Sequence, residues 1–393
     1  MNRVYLNQVV EKPISGEWGK DDATGNGIPV LRTTNFTNDG VIAFDNVVTR
    51  DIPSEKLKGK WIKNGDIIIE KSGGSDKQPV GRVVYFDGES DTYTFNNFTS
   101  VLRVHDSNCW DSKYVFYVLF HNYLCGGTRA YENKTTGIHN LKLDMYLKKF
   151  SLQERCMQEQ RQIVKTLDKI IALIELRKKQ LIYFDDLVKS RFIEMFGDLR
   201  GNPYKWPVKT FKDMTELITD GEHATPVRTD QGIYLLSARN VLNHRFNLDD
   251  VDYISAREYD RISSRVIPQE GDVLISCSGT IGRCCTVPAG LKFQMVRSVA
   301  LLRFKKEIEP KFAEYLIASS DLQRQIDRSK TTSTQANLFQ GKISKLQGFI
   351  PPKELQKQFV SIIEKIDKSK LAIQKSLDEL ETLKKSLMQE YFG

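Results

Sequence analysis

Six short stretches of this chain concentrate hydroxyls, amides and basic side chains, the groups that contact phosphates and read the edges of bases. They are "RTTN" (32–35), "EKSGGSDK" (70–77) and "NKTTGIHN" (133–140) in the first half, and "SARN" (237–240), "SCSGTIGR" (276–283) and "KTTSTQAN" (330–337) in the second. Arg can take guanine with two bonds, and Asn or Gln can take adenine. Glycines such as Gly73 and Gly279 let backbone N–H groups approach a ligand closely. The candidate contacts in the first half are Arg32, Thr33, Asn35, Lys71, Ser72, Gly73, Ser75, Lys77, Arg82, Thr135 and Thr136. Those in the second half are Ser237, Arg239, Asn240, Ser276, Ser278, Gly279, Thr280, Arg283, Lys330, Thr332 and Gln335. Any one of these stretches alone reads as a turn. Their weight comes from recurring at matching places.

Catalytic patterns are missing. "GGSDKQPVGR" (73–82) has glycines but not the spacing of a phosphate-binding P-loop, nor its Lys-Ser/Thr. "GNPYKW" (201–206) lacks the second Pro of the Asn-Pro-Pro-aromatic motif of amino-methyltransferases, and no Gly-rich cofactor loop precedes it. Five scattered histidines show no spacing logic, and six cysteines form no CxxC pair, so neither a metal nor a cofactor is expected on this chain. The longest apolar run, "YVFYVLF" (114–120), is too short to cross a bilayer, and no signal segment opens the chain. The reading is a cytoplasmic, non-catalytic protein without a membrane partner. A net charge of +8 favours a polyanionic one.

The elements that must position these stretches are written twice. "QRQIV" (160–164) falls on "QKQFV" (356–360), and Asp168-Lys169-Ile170 on Glu364-Lys365-Ile366. Leu181 meets Leu377, and Phe196-Gly197 meets Phe392-Gly393 at the same offset. Upstream the match is looser: Gly16-Glu17 with Gly221-Glu222, "GIPVLRTTN" (27–35) with "GIYLLSARN" (232–240), and "NGDIIIEKSGG" (64–74) with "EGDVLISCSGT" (270–280).

In the first helical segment Ile163, Leu167, Ile170, Ile174, Leu181, Phe184 and Val188 follow alternating steps of four and three, with Arg177 filling the one gap. Phe359, Ile363, Ile366, Ile373, Leu377, Leu380 and Leu387 follow the same seam in the second, with Lys370 and Lys384 interrupting. Such a seam predicts a coiled coil, and about forty residues of helix span roughly 60 Å. The runs "GDIIIE", "GRVVYF", "TSVLRV", "GDVLIS" and "SVALLRF" read as strands, with helical patches at 112–124 and 310–326. The expected fold class is α+β, with two tandem globular domains (1–150 and 198–349) and two helical spacers (151–197 and 350–393). If the ends of the second domain lie close together, the second helix returns antiparallel beside the first. The result is a pseudo-twofold molecule with one head at each end of a two-helix coiled coil.

Two heads at fixed separation suit a target with two sites at fixed spacing, and double-stranded DNA presents its major groove about every 34–36 Å. Because the loops differ, the half-sites should differ. A coiled-coil scaffold whose heads bind protein or carbohydrate is the alternative, and it predicts no salt-dependent affinity for DNA.

The strings "GDVLISCSGTIGR" (271–283), "STQANL" (333–338) leading to "IPPKELQKQFVSIIEKID" (350–367), and the ending "YFG" resemble the specificity (S) subunits of type I restriction–modification systems, over the whole chain. The first unit departs from that pattern in its longer loop at 70–82 and in lacking the double Pro before its helix. The resemblance implies two target-recognition domains, each reading one part of a bipartite asymmetric DNA site, spaced by conserved helices acting as a ruler. It also implies two methyltransferase (M) subunits that carry S-adenosylmethionine and methylate adenine, joined by restriction (R) subunits that use ATP and Mg. Exposed apolar residues beyond the helical seam, Ile171, Leu173 and Ile182, are the expected M-subunit contacts.

Overall fold

The computed structural model describes residues 2–135, 137–329 and 337–393. Its contacts divide the chain into two compact units, Met1–Lys178 with Ser376–Gly393, and Lys179–Lys375. The division falls inside each long helix rather than at the helix ends that the sequence marks.

The first unit is built on an antiparallel four-stranded sheet. Its order is Ile14–Ser15, Thr99–Leu102, Ile67–Glu70 and Val83–Tyr85. Ile67, Ile69 and Val83 face one core with the helix Ser112–Leu124. Ile68, Val84 and Val101 face a second core with Leu31, Phe36 and Phe95. Both faces of the sheet are therefore covered, which is why "III" reads as a continuous apolar run instead of an alternation. The helix Ser112–Leu124 is apolar on every side for the same reason, with Tyr114 through Phe120 all buried. Asp111 caps it, accepting from the N–H groups of Lys113 at 2.9 Å and Tyr114 at 3.1 Å.

A second sheet runs Lys20–Asp21, Val48–Asp51, Ile28–Leu31 and Thr94–Phe95, the last pairing parallel. Arg3–Tyr5 pairs with Ser151–Gln153.

The second unit repeats this plan. Thr215–Asp220, Val299–Phe304, Val273–Ser276 and Cys284–Thr286 form its central sheet. Arg228–Thr229, Asp252–Ile254, Ile233–Leu236 and Phe293–Met295 form the second, again with one parallel pair. Val208–Thr210 pairs with Gln347–Phe349. The units differ at their edges. The first adds a three-stranded sheet of Glu132–Thr135, Ile138–Leu141 and Ser72–Gly74, and the second a hairpin of Val241–Leu242 and Arg245–Phe246.

One expected helix is two. Pro310–Ala318 stops at Ser319, whose backbone is extended, and Ser320–Ser329 starts afresh. The Ser319 hydroxyl accepts from the Leu322 N–H at 3.4 Å, so the residue acts as a start signal for the second helix.

The long helices are Met157–Phe196 and Lys353–Phe392. Within the second unit Phe192 meets Phe359 edge-on at 5.5 Å, and Asp185 pairs with Lys370, so the two segments run antiparallel. Phe192, Phe196, Phe312, Phe349 and Phe359 form one aromatic cluster there. Within the first unit Ile163 and Leu167 share a core with Leu387, Met388 and Phe392. The predicted seam is buried at Ile163, Leu167, Ile170, Ile174, Val188, Phe359, Ile363, Ile366 and Leu377, and half-buried at Leu181, Phe184, Ile373, Leu380 and Leu387.

Candidate nucleic-acid interface

Each unit brings two of the sequence-predicted loops together through a turn the sequence did not flag. In the first unit the chain crosses from the second sheet to the central sheet at Asn96–Thr99, with the Thr99 N–H donating to Asn96 O at 3.1 Å. The Asn96 N–H donates to Leu31 O at 3.0 Å, which ties the turn to the start of "RTTN". Phe98 O accepts from the N–H groups of Lys71 at 2.7 Å and Ser72 at 3.2 Å, which ties it to "EKSGG".

The second unit repeats these bonds at Val296–Val299. Val299 N–H donates to Val296 O at 3.0 Å, Val296 N–H to Leu236 O at 2.9 Å, and Cys277 N–H to Ser298 O at 2.8 Å. Ser298 Oγ adds an acceptor for the Ala238 N–H at 3.0 Å.

Gly16 and Gly221 press against these crossings. A Cβ on Gly16 would lie 2.2 Å from Asn96 O, and one on Gly221 2.3 Å from Met295 O. No other residue fits, which explains why this Gly-Glu pair recurs.

Some predicted contacts prove to be the frame of the loops. Asn35 is buried; its Oδ1 accepts from the Arg32 N–H at 2.9 Å and its Nδ2 donates to Ala43 O at 3.0 Å. Asn240 repeats this, accepting from the Ser237 N–H at 2.9 Å and donating to Asn247 O at 3.0 Å and Asp250 O at 2.9 Å. Ser276 is buried, donating to Thr280 O at 2.6 Å and accepting from the Arg283 N–H at 3.0 Å. Arg82 spends its fork on Phe36 O at 2.9 Å and Thr33 O at 2.8 Å. These side chains are consumed inside the protein, so the expectation that they meet a ligand gives way to a positioning role. Arg239 also has partners, donating to Asp250 O at 3.1 Å and Asp252 Oδ1 at 2.9 Å, but on an exposed surface.

Others are at least partly accessible. Gly73, Ser75, Lys77, Gly279 and Thr280 are exposed, and Arg32, Thr33, Lys71, Ser72, Ser237, Ser278 and Arg283 are half-buried. Lys71 Nζ donates to Ser15 Oγ at 2.8 Å, and burial lowers its pKa from the usual lysine range. Thr136, Lys330, Thr332 and Gln335 lie outside the described residues, and of Thr135 only the backbone, in its strand, is described.

Beside these loops the first unit holds a buried carboxylate. Glu70 sits 3.7 Å from Arg82, and burial pushes its pKa up to about 7 against the opposing charge of Arg82. Ser276 is its counterpart by register, since Glu70 pairs with Thr99 and Ser276 with Val299. Below the loops a pair recurs without change. Arg103 holds Asp66 at 2.8 and 2.7 Å, and Arg303 holds Asp272 at 2.8 Å twice.

Of the expected partner contacts on the helices, Leu173 and Ile182 are 43% and 59% exposed. Ile171 is half-buried and packs against the core of the first unit. Leu176, Tyr183 and Leu187 on the same helix are exposed as well. Among the described residues no helix is long and apolar enough to cross a membrane.

Comparison with known proteins places this geometry. The model of the type I restriction modification DNA specificity domain matches twice, at residues 2–182 and 203–383. A putative type I restriction enzyme specificity subunit from Methanocaldococcus jannaschii is 26% identical over 198 residues, 48% of this chain; the match spans only about half of that relative, 46%. Among solved structures, the S subunit of a type I restriction-modification system from M. genitalium superposes with a TM-score of 0.61 at 14% identity, covering 100% of this chain and 96% of that one. A chain from a structure on complex assembly and conformational transition of the type I R-M system gives a TM-score of 0.59 at 16% identity, covering 100% and 97%. Two matched domains, over most of the chain and on a duplicated α+β scaffold, make this protein a member of the type I restriction modification DNA specificity family.

Proposed function

We propose that this chain is the DNA-reading subunit of a type I restriction–modification complex. Each unit takes one half of a split, asymmetric duplex site in the major groove. The observation that carries this reading is a matching set of backbone bonds in both units that holds different side chains at the tip of one turn, Asn97-Phe98 against Arg297-Ser298. A shared frame with divergent tips is what reading two different half-sites with one fold demands.

The chain contributes recognition and no catalysis. Two methyltransferase subunits dock on the long helices, with Leu173 and Ile182 among their contacts, and bring S-adenosylmethionine for adenine methylation. Restriction subunits join that core and bring ATP and Mg. The complex works in the cytoplasm. The compact parts that read DNA correspond to residues 1–150 and 198–349, with 151–197 and 350–393 as spacers.

The test is methylome sequencing of a host that expresses the chain with its methyltransferase subunit. Adenine methylation at one split motif, lost when the loops of either unit are deleted, is the expected result. A stable complex that methylates no new motif would overturn the reading and favour a scaffold whose heads bind protein or carbohydrate.

A further inference from the structure

The turn that joins the loops has two tip residues in each unit. In the first they are Asn97 and Phe98, both exposed, with Phe98 49% accessible. In the second they are Arg297, exposed, and Ser298, half-buried with its hydroxyl already accepting from Ala238. Among the described residues the Arg297 side chain has no ion-pair partner, although Asp220, Arg265 and Glu222 nearby are engaged with one another or with other groups.

These tips cannot wander. The Arg297 N–H donates to Glu222 O at 3.0 Å, and the Glu222 N–H to Met295 O at 2.8 Å. In the first unit the Glu17 N–H donates to Phe95 O at 2.8 Å, and the Phe98 carbonyl is held by two N–H groups of the neighbouring loop. A large apolar ring is thus left half in water, at the junction of two polar loops and on a fixed backbone.

We infer, resting on the DNA-reading function above, that this turn is a specificity-determining position in both units, with Asn97-Phe98 selecting an A·T pair in one half-site and Arg297 a G·C pair in the other. The chemistry is that of the major groove. Asn takes adenine N6 and N7, and the ring of Phe covers the C5 methyl of the thymine paired to it. Arg takes guanine O6 and N7 with its fork. Neighbouring side chains that read the two bases of one pair are what Asn97 and Phe98 supply. Arg297 needs no helper, which fits the engagement of Ser298 with its own loop.

The experiment selects from a duplex library with both half-sites randomised, using the full chain assembled with its methyltransferase subunits. Arg297→Ala should flatten one G·C position of the second half-site by roughly ten- to a hundredfold and leave the first half-site as it was. Asn97→Ala and Phe98→Ala should flatten one A·T position of the first. The exchange Asn97→Arg with Phe98→Ser should turn that position towards G·C. Arg297→Lys keeps the charge without the fork and should lose most of the preference while binding non-specific DNA normally. Variants that keep the parental motif unchanged would overturn the inference. So would Arg297→Ala weakening all sequences equally, because that marks a phosphate contact. Should the unaltered complex select no motif at all, the DNA-reading function itself falls, and this inference with it.

Discussion

Gln356 binds the start of the second long helix to Glu309, the residue that precedes the helix Pro310–Ala318: its Oε1 accepts from the Glu309 N–H at 2.8 Å. Its Nε2 donates to Pro351 O at 2.8 Å and Glu307 O at 3.2 Å, and the residue is fully buried. Gln160 does the same in the first unit, accepting from the Asp111 N–H at 2.9 Å and donating to Cys109 O and Arg155 O at 2.9 Å each. One buried amide thus welds each long helix to the capped end of a domain helix.

Replacing Gln356 with Leu keeps the volume and strands one N–H and two carbonyls away from water. Unsatisfied buried groups cost about 1–3 kcal/mol apiece, so a loss of at least about 3 kcal/mol is expected. Urea unfolding of the variant checks it, and Gln160→Leu should cost a similar amount.

Asp272 and Arg303 form a two-bond pair with the carboxylate buried. Arg303→Met leaves that charge without its partner and should lower stability by about 3–5 kcal/mol. The double variant Arg303→Met with Asp272→Leu should recover part of the loss, because it removes the buried charge as well. Thermal melts of the three variants decide this, and Arg103 with Asp66 should behave alike.

Glu70 gives the first unit a pH dependence that its counterpart Ser276 does not supply in the second. Its pKa rises from 4.5 unfolded to about 7 folded, so the folded state holds the proton more tightly. The stability from that proton is fully present below pH 4.5 and is lost as pH rises through about 7. At one pH unit per 1.36 kcal/mol, the span corresponds to about 3 kcal/mol. Glu70→Gln should remove this slope, seen as a gap between parent and variant urea midpoints that grows across that window. A constant gap would refute the assignment.

Leu173→Ser with Ile182→Ser changes residues that face solvent. The pair should weaken capture of the proposed methyltransferase subunit by about tenfold or more while the melting temperature stays put. Ile171→Ser, at the edge of the first unit's core, should lower the melting temperature instead. Co-purification and melting measured on the same samples separate the two outcomes.

The sequence by itself determined the duplication, the long helices and the central strands. Those signals are local: the step of four and three from Ile163 to Val188 survives as burial in the helix Met157–Phe196, and "IIIE" and "VLIS" are strands buried on both faces. It also located the loops, because Gly, Ser and Asn mark turns wherever they fall.

Only the tertiary structure decided which loop side chains are free. Asn35 and Phe98 sit in similar polar stretches, yet the asparagine is sealed by its own loop and the ring is left in water. Whether a polar group is spent inside or offered outside depends on which carbonyl or N–H the folded loop brings to it. Those partners, Ala43 for Asn35 and Asn247 for Asn240, are met because each loop folds back on itself. The same holds for Ile171 and Leu173, two residues apart on one helix. The core packed beside them half-buries one and leaves the other exposed, since positions two apart on a helix face different sides.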